Sequence, residues 1–257
     1  MNDNILRAKW ERELNKAERR NISALSAYYR SQYRKTIPAI IDSRQVNEYE
    51  IFKFEDLQKQ VIDLYKNIGL QFALWYYNEF KDYTVKAEPN LDLFSEIWAA
   101  DFANYGKIYA GKQISLLKGT ALATIKRIIR QLFLSEEFQT AGATVRARML
   151  QSQFDKLSYM QAERIVRTEA TTAANYALER SALTMYPPEQ LKKRWVTSMD
   201  GRERAWHGAV NGIEVNFNQP FMVDGEELMR AGQGSGRNRI NCRCVTLQIP
   251  KESTLDL

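Results

Sequence analysis

The sequence predicts a mainly α protein with a smaller α+β domain at its C-terminal end. Three observations lead there. Over the first two thirds of the chain, apolar residues recur at spacings of three and four, the period of an amphipathic helix. After Pro187 and Pro188 the texture changes to short β-type runs separated by Gly and Asn turns. The segment just before those prolines carries a stripe of small side chains that lets another element approach closely. The expected architecture is a helical N-terminal region, residues 1–134, followed by residues 135–257, where a long helix packs on a small antiparallel sheet.

The first helix, "NILRAKWERELNKAERRNISALSAYYRSQYRK", places Leu6, Trp10, Leu14 and Ala17 on one stripe. Pro38, which lacks a backbone N–H, is expected to end it. The second, "FEDLQKQVIDLYKNIGLQFALWYYNEFKDY", carries Leu57, Val61, Leu64 and Ile68 at helical spacing. The third, "LDLFSEIWAADFANYGKIYAGKQISLL", is weakened by Gly106 and Gly111. In "ATIKRIIRQLFL" a short amphipathic helix turns Ile125, Ile128, Ile129 and Leu132 one way, and Lys126, Arg127 and Arg130 another.

The clearest helix is "SYMQAERIVRTEATTAANYALERSALTMYPP". Ser158 reads as its cap, with Gln161 three residues on as the capping-box partner, and the two prolines stop it. Its small stripe is Ala162, Ile165, Val166, Ala170, Ala173, Ala174 and Ala177. Beyond it, "LKKRWVTS", "NGIEV" and "QPFMVDG" read as extended pieces, "AGQGSGRNR" as a flexible basic loop, and "INCRCVTLQIP" as an alternating strand.

Composition narrows the function classes. No apolar run is long enough to span a membrane. The N-terminal residues lack the apolar core of a secretory signal, so the chain is expected to begin life in a cytoplasm. Two cysteines among 257 residues do not make a disulfide scaffold. The net charge of +6 permits contact with nucleic acid or an acidic partner without requiring it.

The residues with chemical potential fall late in the chain. Glu163 lies four before Arg167, a favourable ion-pair order, and Arg164 shares a face with Arg167. Glu169 borders the apolar stripe and wants a partner, which an arginine of the C-terminal region would supply. In "DGRERAWH" an Asp-Gly turn precedes Arg204 and His207, which lie three apart. His207 is the only histidine, so imidazole chemistry must use it. In a strand Cys242 and Cys244 project together and Arg243 points away. Three readings stand: small buried thiols filling a core face, which is favoured; a thiol activated by nearby arginines; or a zinc site built from both cysteines, His207 and Asp200. Arg243 is expected to pair with Glu169 or Asp200. The loop arginines Arg237 and Arg239 are candidates for DNA contact, on an arm that orders against a partner or DNA.

The order of these signals is more specific than any one of them. "RIVRTEATTAAN", then "RWVTSMDGRERAWHGAVNG", then "INCRC" resembles the phage Mu F-like minor head proteins over about residues 135 to 247. The matching positions are Arg167, Thr168 and Glu169; Trp195; Asp200, Arg202, Arg204, His207 and Gly212; and Asn241, Cys242, Arg243 and Cys244. Glu203 stands where that family often carries Thr, and "RAGQGSGRNR" replaces a Pro-Gly-Asp-like stretch. The resemblance implies a low-copy structural protein of the virion head interior. It would join the portal protein, with capsid or scaffold proteins, inside the procapsid in the host cytoplasm. It would support head assembly, contact packaged double-stranded DNA and influence its exit. It implies no enzyme, no cofactor and no membrane. The alternative is a metal-independent nuclease-like enzyme using His207, Glu169 and Arg204.

Overall fold

The computed structural model describes residues 3–43, 54–81, 90–198, 201 and 203–251, without the side chains of 3, 54 and 110–119. Four long helices carry the architecture: α1 (Asp3–Ser43), α2 (Phe54–Phe80), α3 (Leu91–Leu134) and α5 (Ala143–Met185), with α4 (Glu136–Thr140) bridging the last two. The small C-terminal part follows as β1 (Leu191–Val196), the turn α6 (Ala205–Ala209), β2 (Glu214–Asn216), β3 (Phe221–Val223), β4 (Glu226–Leu228), the turn α7 (Gly236–Arg239) and β5 (Val245–Pro250). This is the expected class, a helical body and a long helix against small antiparallel sheets.

The predicted stripes are the buried ones. Leu6, Trp10, Leu14 and Ala17 of α1, Leu57, Val61, Leu64 and Ile68 of α2, and all seven small-stripe residues of α5 are buried. They belong to one apolar core, which takes in Ile125 and Ile129 of α3 and Leu191, Val196, Val245 and Leu247 of the sheet. The core is thus continuous across the division at 134/135, which falls at the end of α3.

The helices run further than their local sequence suggests. Pro38 does not end α1, which continues to Ser43. Ile37 and Ile40 on either side of it are buried, and their packing outweighs one missing hydrogen bond. The third helix, weakened by Gly106 and Gly111, and the short amphipathic helix after it are one continuous helix, α3. A Cβ on Gly106 would lie 3.0 Å from the Tyr65 Cβ, and one on Gly69 would lie 2.3 Å from Phe102 Cδ2. Each of α2 and α3 therefore offers a glycine where the other inserts an aromatic ring. Ser158 is no cap: it sits inside α5 and its hydroxyl donates to the Phe154 carbonyl at 2.7 Å. Gln161 accepts from the Tyr33 hydroxyl of α1 instead of closing a capping box.

The first sheet has the order β2-β1-β5, antiparallel throughout. β5 is buried at four successive positions, so its faces do not alternate; α5 covers one and the rest of the C-terminal part the other. β3 and β4 form a hairpin whose Asp224-Gly225 turn has both φ angles positive, as a tight hairpin demands. A second, smaller core gathers Trp195, Val210, Phe221, Val223, Leu228 and Ala231 around Cys242 and Cys244.

The loop "AGQGSGRNR" is not a free arm. Gly232 (φ +83°) presses on α5, where an added Cβ would meet the Thr172 backbone at 2.9 Å. The Gln233 amide oxygen accepts from the Met229 and Arg230 N–H groups, and Ser235 donates to the Glu226 carboxylate.

Candidate functional site

The site is built on one face of α5. Thr168, Thr171, Thr172 and Asn175 are all buried, an unusual run of polar groups inside a helix. Three of them serve the chain that follows α7, and Thr172 serves the loop before it. The Thr168 hydroxyl accepts from the Asn241 N–H at 3.3 Å. Thr171 donates to the Cys242 carbonyl, and Thr172 donates to the Gly232 carbonyl at 2.9 Å. Asn175 donates to the Cys244 carbonyl at 3.1 Å and accepts from the Thr246 N–H at 2.7 Å. The backbone from 241 to 246 is held here by side chains where a sheet would use a ladder. Sequence reasoning had singled out Thr168 alone of this set. Its signal was present: hydroxyl and amide residues at 168, 171, 172 and 175 share one helical face.

The cysteine segment is therefore no strand. Asn241 takes a left-handed conformation (φ 55°), which Asn tolerates, and the ladder of β5 begins only at Val245. Cys242 and Cys244 still point together and Arg243 points away, but the α5 clamp enforces this, not a pleat. Arg243 does not pair with Glu169. It reaches α1, where its guanidinium donates to Glu18 at 2.6 and 2.8 Å and to Asn15 at 2.8 Å, while Trp10 Nε1 donates to its carbonyl at 3.3 Å. The partner of Glu169 is Arg239, with the Tyr65 hydroxyl as a second donor. Burial, with Glu169 beside it, pushes the Tyr65 phenol well above its ordinary range, so it remains a neutral donor.

Both cysteines meet His207. The Cys244 sulfur lies 3.4 Å and the Cys242 sulfur 3.8 Å from His207 Nδ1, and all three side chains are buried. The imidazole stands edge to face with Trp195 and Trp206, with ring centroids 5.5 and 6.4 Å away. The two thiols titrate as a pair. The hydrogen bond from the Cys244 thiol favours a thiolate on Cys242, and the same bond, with burial, raises Cys244. A cleft of about 560 Å3 opens onto this group, walled by Glu11, Asn15, Arg167, Glu203, Arg204 and Arg243 among others.

The remaining predicted positions frame it. Arg167 pairs with Glu163 at 3.1 Å, as the spacing implied. Trp195 and Gly212 exchange backbone contact: the Gly212 N–H donates to the Trp195 carbonyl at 2.7 Å, with Gly212 at φ +80°. Arg204 donates to the Ile240 carbonyl. Arg237 pairs with Asp224 at 2.8 Å and lies over the Trp206 ring, while Arg239 is buried, so its guanidinium is turned inward and not offered to DNA. Asp200 and Arg202 lie outside the described residues. The nuclease-like constellation is not assembled, because Glu169 lines a different cavity, with Tyr29, Arg164 and Ile240, from the cleft of His207 and Arg204.

Comparison with known proteins bears on this same region. A stretch of 99 residues, 36% of this chain, is 32% identical to the NAD(+)--arginine ADP-ribosyltransferase EFV of Enterococcus faecalis (strain ATCC 700802 / V583). The chain spans 19% of that relative's length. No solved structure matches the chain. The model of the family described as Phage Mu protein F like protein matches residues 115–247, just over half of the chain. That match takes in the α5 clamp, His207 and both cysteines, and by it the chain belongs to the Phage Mu protein F like family.

Proposed function

We propose that the protein is a minor head protein that joins the procapsid in association with the portal and supports head assembly from the head interior. The observation that carries this reading is the family match over 115–247. The α5 clamp, the buried pair of Arg239 and the half-buried pair of Arg243 suit a structural role, since they fix elements instead of presenting reactive groups. A docking face is available on α3. Leu93, Ile97 and Ile108 are exposed on one stripe, next to the solvent-facing Ala100 and Asn104. Exposed large apolar side chains along one helix face are the usual ground for a protein partner, and the portal protein is the partner assigned to them.

The ADP-ribosyltransferase is a chain of which this one spans 19%, too little to carry a transferase activity over to it. Contact with packaged DNA is a secondary part of the reading, supported by the net charge of +6. It requires an affinity that falls steeply as salt rises. Co-expression with the portal protein of the same phage tests the main reading. The two are expected to co-elute in size-exclusion chromatography; full separation at low and physiological salt would overturn it.

A further inference from the structure

We propose that His207, Cys242 and Cys244 bind a zinc ion that staples the small C-terminal core, with the fourth coordination position turned toward the cleft. The three ligand atoms lie within 4.8 Å of one another and their residues are buried. The nitrogen–sulfur separations are 3.4 and 3.8 Å. Tetrahedral zinc, with Zn–S about 2.3 Å and Zn–N about 2.0 Å, sets that separation at about 3.5 Å. Both nitrogen–sulfur separations lie close to that value.

The tautomer of His207 is fixed for this role. The Trp206 indole N–H can only donate, and it meets the Asn238 side-chain oxygen at 2.8 Å. The Asn238 amide nitrogen faces the Val223 carbonyl, which fixes the same orientation. His207 Nε2 lies 3.2 Å from that Asn238 oxygen, so Nε2 carries the hydrogen. Nδ1 is then left with its lone pair aimed at both sulfurs, as a ligating imidazole oriented through its other nitrogen would be.

The sulfurs also have the surroundings of metal thiolates. The Trp195 indole N–H finds no oxygen or nitrogen acceptor and lies against the Cys244 sulfur, which the Ser198 N–H also approaches. A nucleophilic Cys–His pair needs one thiol; here two converge on one nitrogen. Two soft thiolates with an imidazole select zinc among the common ions. The fourth position falls to water in the cleft, which Glu203 also lines. The ion would tie α6 to the segment before β5, across 35 and 37 residues of chain. A core as small as that of Trp195, Phe221 and their few neighbours gains most from such a staple.

The test uses the full-length chain, purified under reducing conditions without chelator. Elemental analysis is expected to find one zinc per chain. Replacement by Co2+ is expected to give a thiolate charge-transfer band and the visible bands of a tetrahedral site. Cys242→Ser and His207→Ala should abolish stoichiometric zinc, and Asn238→Ala should weaken zinc binding roughly 10–100-fold. Wild-type protein that neither retains zinc nor shows a cobalt charge-transfer band, and whose unfolding temperature zinc leaves unchanged, overturns the proposal. So does stoichiometric zinc retained by the Cys242→Ser/Cys244→Ser double variant, which would place the metal elsewhere.

Discussion

Arg239 and Arg243 leave one short segment for two different helices, and their partners explain why the segment is so rich in charge. Arg239 and Glu169 are both nearly excluded from water, so their pairing is worth most when it is broken. Glu169→Gln leaves a buried guanidinium without its counter-charge and is expected to cost about 3–5 kcal/mol in urea unfolding. The double variant Glu169→Leu/Arg239→Met should recover most of that loss, because an apolar pair of similar volume avoids the desolvation of both ions. Lys193 is the opposite case. It lies buried in β1, its ammonium donating to the Met229 carbonyl at 2.8 Å, and burial lowers its pKa to about 8. Between that value and the ordinary one of 10.5 the unfolded chain holds more protons than the folded chain. Stability contributed by this group therefore rises as pH climbs through that window, and the burial cost is fully present below it. Lys193→Met should flatten the change in urea midpoint between pH 7.5 and pH 10; an unchanged slope would contradict this. The need of Glu169 for an arginine was legible from its place beside an apolar stripe. Which arginine was not, because Arg239 and Arg243 differ by four positions and their partners lie 70 and 225 residues away.

At the scale of elements, periodicity read the buried faces correctly and local punctuation read the ends poorly. Pro38, Gly106 and Ser158 each carry a local signal for a break, and each lies inside a continuous helix. The signals are worth a few kcal/mol at most, whereas each helix buries a stripe many turns long. Gly106 and Gly69 are there for the approach of α2 and α3, a fact that neither helix reveals by itself. Gly69→Ala would push a methyl into the Phe102 ring and is expected to cost about 1–3 kcal/mol by overpacking, read as a lowered urea midpoint. A variant as stable as the wild type would contradict the reciprocal packing. The cysteine segment misled for a related reason. Side chains two apart point together in a strand, and they also do so here, where Asn241 turns the chain and Thr168, Thr171 and Asn175 hold its backbone. Spacing cannot tell these apart, because the holding groups come from another element.

Across the whole molecule, the C-terminal segment joins parts that are distant in sequence. Arg243 anchors it to α1, Arg239 and the threonine face to α5, and the two thiols to the turn that carries His207. The head-protein signature is thus mostly a fastening device, which is why its residues looked reactive one at a time and are mostly paired when assembled. Among the features left open to the outside are the cleft and the exposed apolar residues of α3. The family was legible from the order of the motifs; the stripe was not, since nothing in the sequence of α3 says which of its apolar residues find partners within the chain. The most direct measurement is the protein content of procapsids assembled with the variant Leu93→Asp/Ile97→Asp. Both positions are exposed, so the variant should match the wild type in circular dichroism and urea unfolding. The account predicts that it is depleted at least several-fold from purified procapsids that still contain portal. Incorporation at the wild-type level would contradict the assignment of this face to portal docking.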